Sequence, residues 1–293
     1  PDVVREVTSL PIFDSVPTPV LQYMYKDLNP RIPDESDLLP EGSIVFLYDG
    51  ENDGQSAADE LRKERPDLNH LIFSYDIKRG PNHDIFGKLW SVLVHSMMRK
   101  RIKCLLAGPN CKSWSVLLLR KRDNFPGKRR DRYNPWEPIK ESDRHSLDRE
   151  SNLILRVAVL IAMAKILQVE LKFGIEHPED PEKQPETKLR WLTPAEAEQE
   201  CPSFWATEFF KELMAFVGGD LQSFDQGCLG HDAKKPTSFW SNLGVNLDGM
   251  RMYTQKKGSG LESEGLARWA PGFRHAIIQA IINDHPVVVK AFR

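Results

Sequence analysis

Short apolar runs alternate along the chain with longer segments whose apolar residues recur at helical spacing, and this pattern predicts an α/β fold. The short runs predict buried strands because each is mostly apolar and is bounded by turn residues. They are Ser43–Tyr48, His70–Tyr75, Cys104–Ala107, Val169–Ile175 and Ser238–Leu243.

The longer segments predict helices, because their apolar residues recur with a period near 3.6. They are Gln55–Glu64, Gly87–Lys100, Asp148–Gln168, Ser203–Phe216 and Ala267–Ile282. Asp148–Gln168 is apolar nearly all round, so we expect it to be buried against the sheet. Strands that alternate with helices predict a Rossmann-like, mostly parallel sheet with helices on both faces.

The alternating pattern begins at Ser43, which divides the chain into two parts. Residues 1–42 are rich in proline and carry a helical segment at Val20–Lys26, and we predict that they form an N-terminal extension packed on one domain of residues 43–293. A length of 293 residues suits one large α/β domain or two small ones, and we expect a single domain. Because the chain starts at Pro1 without a methionine, we expect either a fragment of a longer protein or a processed chain.

Composition narrows the classes of function. The net charge of −2 excludes wholesale nucleic-acid binding, so a site of that kind has to be a local patch. No apolar run is long enough to span a membrane, and we expect no membrane partner. Four cysteines without a CxxC pair argue against a zinc site or a disulfide framework and predict a reducing, nuclear or cytoplasmic compartment. They are Cys104, Cys111, Cys201 and Cys228.

One local basic patch lies within residues 116–150. Aromatic residues and the breakers proline and glycine are interleaved with its basic residues, which predicts a loop that clamps a phosphate backbone. A solvated surface loop is the alternative. The basic residues are Arg120, Lys121, Arg122, Lys128, Arg129, Arg130 and Arg132.

Cys111 is the candidate nucleophile. The run Cys104–Ala107 ends at Gly108-Pro109, and the loop that follows presents Cys111 and Lys112. A thiol just past the carboxyl end of a strand lies where open α/β sheets place their chemistry. We expect Lys112 to lower the pKa of this thiol and favour the thiolate. A half-buried structural cysteine is the alternative.

The turn after the first strand is a candidate nucleotide site. Ser43–Tyr48 leads into Asp49-Gly-Glu-Asn-Asp-Gly54 and then a helix, the opening unit of a nucleotide-binding half-domain. Asp76 ends the second strand, where an acidic residue commonly binds ribose hydroxyls. An ordinary turn and, for Asp76, a helix cap are the alternatives.

These segments resemble the cytosine-5 DNA methyltransferases. Gly108-Pro-Asn-Cys-Lys-Ser-Trp-Ser115 is similar to the family's catalytic loop, usually Gly-Pro-Pro-Cys-Gln-x-Phe/Trp-Ser. Glu176-His-Pro178 stands where the family has Glu-Asn-Val, and Gln226 with two lysines stands where it has Gln-x-Arg-x-Arg. The resemblance covers about residues 43–282. It extends to a divergent branch in eukaryotic retroelement polyproteins, through the Gly-Pro-x-Cys-x-x-Trp-Ser, Glu-His-Pro and Lys-Pro-Thr segments.

The resemblance implies a class I methyltransferase fold and methylation of cytosine C5 in double-stranded DNA, with the target base flipped out of the duplex. S-adenosylmethionine is the implied methyl donor, and no metal is required. By position, the Cys111 thiolate adds to C6, Glu176 bonds N3 and the exocyclic amine, and Ser115 supports the catalytic loop.

The resemblance also assigns binding residues. Those for the cofactor are Asp49, Gly50, Glu51, Gly54, Asp76, Ile77 and Pro109. Those for nucleic acid are Lys112, Arg120, Arg122, Lys128, Arg129, Arg130, Gln226, Lys234 and Lys235.

Three departures from the family keep other functions open. The first loop lacks the family's Phe-x-Gly-x-Gly pattern, Asn110 replaces the second proline of the catalytic loop, and the target-recognition segment at 243–266 is very short. The alternatives are an inactive methyltransferase-like module that binds nucleic acid or protein, and a cytosine-5 methyltransferase acting on RNA. A Rossmann-like oxidoreductase is disfavoured because the dinucleotide glycine fingerprint is missing.

Overall fold

Six strands form the central sheet of the computed structural model, which describes residues 2–26, 33–51, 53–114, 129–181, 202–233, 235–251, 268–283 and 287–288. Their order across the sheet is β2-β1-β3-β4-β6-β5. The pairs among the first four are parallel, and β6 runs antiparallel to both β4 and β5. The strands are β1 Ser43–Leu47, β2 Ile72–Tyr75, β3 Ile102–Ala107, β4 Lys172–Pro178, β5 Asp220–Asp225 and β6 Pro236–Ser241. A small parallel pair joins β7 Val245–Asn246 to β8 Val287–Val288.

Helices cover both faces of the sheet, because side chains alternate between the faces along each strand. Val45 and Leu105 point into one apolar core, which contains α4, α5 and α6. Phe46 and Leu106 point into the other, which contains α3 and α7. The helices are α1 Asp2–Thr8, α2 Thr18–Lys26, α3 Ala57–Glu64, α4 Lys88–Met98, α5 Arg144–Ile166, α6 Glu208–Val217 and α7 Pro271–Asn283.

The N-terminal helices belong to the first core. Val4, Phe13, Val20 and Met24 are buried in it, and both α1 and α2 contact α5. Because α5 is covered by the sheet on one side and by these helices on the other, it is apolar around most of its circumference.

The α/β class and the mostly parallel sheet are confirmed. Two differences from the predicted elements matter for the site. The polar strand β5 was missed, because it lies at the sheet edge and its first residues are exposed or half-buried, so no apolar run marks it. The last helix begins at Pro271 rather than Ala267, which leaves Arg268, Trp269 and Ala270 in extended or bent backbone before it. None of the helices in the described ranges is long and apolar enough to cross a membrane.

Candidate active site

The strand order reverses between β1 and β3. From β1 the chain crosses to β2 on one side and then returns to β3 on the other side of β1. Ligands of open α/β sheets bind in the crevice at such a reversal, outside the carboxyl ends of the strands. Leu47 pairs with Ala107, and Ala107 pairs with Ile175, so the loops after β1 and β3 start beside Glu176.

Glu176 is the centre of the hydrogen bonds at this edge. It is buried, and its Oε1 accepts hydrogen bonds from Gln226 Nε2 at 2.9 Å and Thr237 Oγ1 at 3.5 Å, with Lys235 Nζ also at 3.5 Å. Its Oε2 accepts from Trp269 Nε1 at 3.2 Å. These four partners fix the orientation of the carboxylate.

The sheet topology explains why these partners meet. β5 runs in the same direction as β4, so Gln226, which follows β5, emerges at the same edge as Glu176. β6 runs the opposite way, so Lys235, which precedes it, lies at that edge too. The Gln226 side chain is fully buried, and its Oε1 accepts from the Ala270 N–H at 2.8 Å. The prediction that Gln226 contacts nucleic acid is therefore wrong, because both ends of its amide are bonded inside the protein.

The Cys111 thiol is half-buried and is electrostatically coupled to Glu176. Burial, and then the negative charge of Glu176, raise its pKa to about 11, while Lys235 lowers it. The expectation that Lys112 tunes this thiol is wrong: Lys112 is exposed, and the cation that lowers the pKa is Lys235. We call Cys111, Glu176 and Lys235 the thiol centre.

Lys235 has a strained backbone. Its φ is +43°, in the left-handed region that residues other than glycine rarely adopt. Its carbonyl accepts hydrogen bonds from the Gln226 N–H at 3.2 Å and from Thr237 Oγ1 at 3.0 Å, so the strain is held by the same residues that hold Glu176. Strained residues of this kind cluster at functional sites.

Arg130 anchors the loop that carries Cys111 to the core. Arg130 Nε donates to Ser113 Oγ at 2.7 Å, and the guanidinium lies 4.3 Å from the centroid of the Trp114 ring. The Ser113 N–H donates to Glu150 Oε2 on α5 at 3.1 Å. Two consecutive residues of the loop are thus fixed to the core immediately after the thiol.

The prediction that Arg129 and Arg130 bind nucleic acid is wrong. Arg130 is 0% exposed, and its remaining bonds go to Ser151 Oγ and to two backbone carbonyl oxygens, those of Pro135 and Leu147. Arg129 is buried beside two carboxylates, with Glu150 at 3.3 Å and Asp143 at 3.6 Å. A run of basic residues raises the local charge, but it does not show which side chains turn inward towards acids far along the chain. The predicted residues Ser115, Arg120, Arg122, Lys128 and Lys234 lie outside the described residues.

Asp49, at the end of β1, caps a helix. Its Oδ1 accepts from the Ala57 N–H at 3.1 Å, and its Oδ2 accepts from the Ala58 N–H at 3.2 Å and from Ser74 Oγ at 2.9 Å. Burial is the largest influence on this carboxyl and raises its pKa, while the hydrogen bonds oppose the shift. Asp49 therefore accepts three hydrogen bonds from the first turn of α3 and from Ser74, and the expectation that it also binds the cofactor stays a prediction.

A buried arginine that the sequence did not mark ties the first two loops together. Arg79 donates through Nε to the Gly50 carbonyl at 2.7 Å and through Nη2 to the Glu51 carbonyl at 3.2 Å, and its side chain is only 8% exposed. Asp76 accepts from the Gly50 N–H at 3.1 Å and from the Lys78 N–H at 2.9 Å. The loops after β1 and β2 are therefore bonded to each other.

Some of the predicted cofactor residues remain available to a nucleoside. Each oxygen of Asp76 accepts one bond from the protein, whereas a carboxylate offers about four acceptor positions, so ribose hydroxyls can still donate to it. Ile77 is 57% exposed and offers an apolar surface beside this carboxylate. Gly50 has φ +81°, with open space where a side chain would begin. Gly54 and Glu51 are exposed, and Pro109 is buried.

Residues 268–270, which we call the strap, cross the site. Trp269 packs so closely on Gly108 that a Cβ there would lie 3.0 Å from the indole nitrogen, which explains why this position is glycine. Arg268 reaches the first loop, donating to Asp53 Oδ2 at 2.6 Å and to Gln55 Oε1 at 2.7 Å. No sequence pattern marked the strap, because its segment was predicted as helix.

Neither a model of a known protein family nor a curated protein sequence matches the chain. The function is therefore inferred from the residues of the site and their geometry.

Proposed function

We propose that the protein methylates C5 of cytosine in DNA, with Cys111 as the nucleophile and S-adenosylmethionine as the methyl donor. The observation that carries this proposal is the thiol centre. Cys111 and Glu176 are the two residues that the family resemblance names for the chemistry; Cys111 lies in the loop after β3 and Glu176 on the neighbouring β4, and the charge of Glu176 acts on the thiol at the carboxyl edge of the sheet. A structural cysteine in a loop has no need of such a neighbour.

The residues of the thiol centre have separate roles. The Cys111 thiol, whose pKa is raised to about 11, gives up its proton to water, and Lys235 stabilises the thiolate. The thiolate adds to C6 of cytosine, the C5–C6 double bond opens, and C5 takes the methyl group with S-adenosylhomocysteine as the leaving group, while Glu176 accepts a hydrogen bond from the exocyclic amine. A water molecule then removes the C5 proton, the C5–C6 double bond re-forms as the bond from sulfur to C6 breaks, and the thiolate is restored.

We place the methyl donor at the β1–β2 side of the carboxyl edge of the sheet. S-adenosylmethionine, when bound, supplies the methyl group that C5 receives. Asp76 is suited to accept hydrogen bonds from its ribose, and Ile77 is suited to pack against its adenine ring. Asp49 is oriented by its hydrogen bonds to the first turn of α3, next to the loop that would hold the cofactor.

A second candidate, an inactive methyltransferase-like interaction module, is favoured by one observation. Arg79 brings a buried positive charge between the two loops that would hold the cofactor and bonds the carbonyls of both Gly50 and Glu51. A crevice closed in this way disfavours a ligand that itself carries a sulfonium cation.

Transfer of radiolabelled methyl from S-adenosylmethionine to duplex DNA tests the proposal. We expect label at cytosine C5 with the wild type and with the matched variant Cys228→Ala, and none with Cys111→Ala. A parallel assay with tRNA as acceptor separates DNA from RNA as substrate. If no acceptor is labelled and calorimetry detects no binding of S-adenosylmethionine, the interaction module is the correct function.

A further inference from the structure

The strap places an aromatic ring where the proposed reaction needs a base. Trp269 Nε1 donates to Glu176 Oε2, and its ring lies against Gly108, the first residue of the loop that presents Cys111. In the proposed function Glu176 accepts from the exocyclic amine of cytosine. The indole therefore makes, with its own N–H, a bond that the substrate has to make.

Trp269 lies over the site, at the edge of the core rather than inside it. Its ring is half-buried, and it meets the Phe273 ring at a centroid distance of 5.2 Å. Its carbonyl accepts from Arg274 Nη1 at 2.7 Å. Trp269 is only partly buried and packs against the core that contains α3 and α7, so the ring lies at the rim of that core and not inside it.

The two ends of the strap are held with unequal strength. At one end the Ala270 N–H donates to the fully buried Gln226. At the other end Arg268 pairs with Asp53 while 48% of its side chain is exposed, and Lys235 Nζ donates to the Arg268 carbonyl at 3.0 Å. Exposed ion pairs contribute little, because water screens them. The Arg268 end is therefore held by bonds to exposed groups, whereas the Ala270 end is bonded to the protein interior, so we expect the strap to release first at Arg268.

We propose that Trp269 bonds Glu176 in place of the substrate base, so that a planar heterocycle with an amino donor binds only by displacing the strap. This rests on the proposed function and adds the control of its base site. The ligand class follows from the carboxylate: Glu176 Oε2 accepts hydrogen bonds, so a ring that presents an N–H₂ group competes with the indole, whereas a ring that presents a carbonyl oxygen does not.

Binding of deoxycytidine monophosphate to the full chain, measured by calorimetry, tests the inference. Trp269→Ala removes both the ring and its N–H, and we expect it to bind the nucleotide at least about tenfold more tightly than the wild type, equivalent to about 1.4 kcal/mol. Trp269→Phe keeps a ring and loses only the N–H, so we expect a smaller gain. Thymidine monophosphate, which has a carbonyl in place of the amine and keeps only its N3–H as a donor, should gain less than deoxycytidine monophosphate.

Two controls keep the test independent of folding and of the proposed function. Phe224→Ala removes a buried ring from the same core without removing a donor to Glu176, and it should leave nucleotide affinity unchanged. If Trp269→Ala does not fold, Trp269→Phe carries the test.

Nucleotide affinity that is unchanged or weaker in both Trp269 variants overturns the inference. If that happens while the wild type still labels DNA, only the strap idea fails. If Trp269→Ala gains affinity but no form of the protein transfers methyl, the proposed function fails and the strap inference stands.

Discussion

The two sides of the sheet's carboxyl edge use their polar groups differently. On the β3–β4 side, Glu176 and Lys235 act on a half-buried thiol and shift its pKa in opposite directions. On the β1–β2 side, Asp49 bonds backbone N–H groups at the start of α3, and Arg79 bonds a carbonyl of the loop after β1, so their charges hold neighbouring segments together. A carboxylate after a strand thus has either of two uses, and its partners decide which.

The largest effect is expected from removing the arginine below the thiol loop. Arg130→Ala leaves Ser113 and the carbonyls of Pro135 and Leu147 without their donor in the protein interior. We expect the free energy of unfolding to fall by about 3–5 kcal/mol in urea titration. Arg144→Ala, at a surface ion pair, should remain close to the wild type. Equal losses in the two variants would mean that Arg130 does not anchor the loop.

A smaller loss of stability should come from removing the buried arginine on the β1–β2 side. Arg79→Ala removes the donor to the Gly50 and Glu51 carbonyls, and bonds of this charged kind contribute about 1.5–3 kcal/mol. The neighbouring Lys78→Ala removes an exposed ion pair with Glu51 and should cost at most about 1 kcal/mol. If the two variants are equally stable, Arg79 does not hold the loops after β1 and β2 together. The proposed difference between the β1–β2 side and the β3–β4 side would then be wrong.

The fold class followed from the sequence because its signals are local. Runs such as Cys104–Ala107 are apolar because both faces of the strand are covered, so such a strand can be recognised from consecutive residues alone. Cys111 and Glu176 were found in the same way, since Cys111 follows the tight turn after such a run and Glu176 directly follows the apolar run that predicted β4, although the strand itself continues to Pro178.

The residues that hold the site in place could not be recognised from the sequence around them. Arg130 belongs to a basic run, and only its partners Ser113 and Ser151, on other segments, turn it inward. Arg79 and Trp269 likewise take their roles from loops that the fold brings to them. A single sequence shows which residue types are present at the edge of the sheet, but the direction of a side chain depends on tertiary contacts.

The smallest effect on stability is a dependence on pH from the β3–β4 side. His177 is buried with its Nε2 unbonded, and burial, helped by Arg130, lowers its pKa to about 3. The unfolded chain takes up this proton near pH 6.5, so it binds more protons than the folded chain below that pH. Stability should therefore fall as the pH drops from about 6.5 to 5, by at most about 1.4 kcal/mol per pH unit.

His177→Phe should flatten this dependence, and the exposed His70→Gln should leave it unchanged, as measured by urea titration at several pH values. A wild-type stability that is constant between pH 6.5 and 5 would show that His177 is protonated in the folded state, and that the β3–β4 side is more open to water than the structure describes.

The rate at which iodoacetamide modifies Cys111, followed by mass spectrometry between pH 7 and 10, tests the existence of the thiol centre most directly. With a pKa near 11, the wild-type rate should rise about tenfold per pH unit across this range, because only the thiolate reacts. At any one pH, Glu176→Gln should react faster, Lys235→Met slower, and Lys112→Met at the wild-type rate. A thiol that titrates near 8.5 in all four proteins would contradict the account, because Cys111 would then be an ordinary loop cysteine.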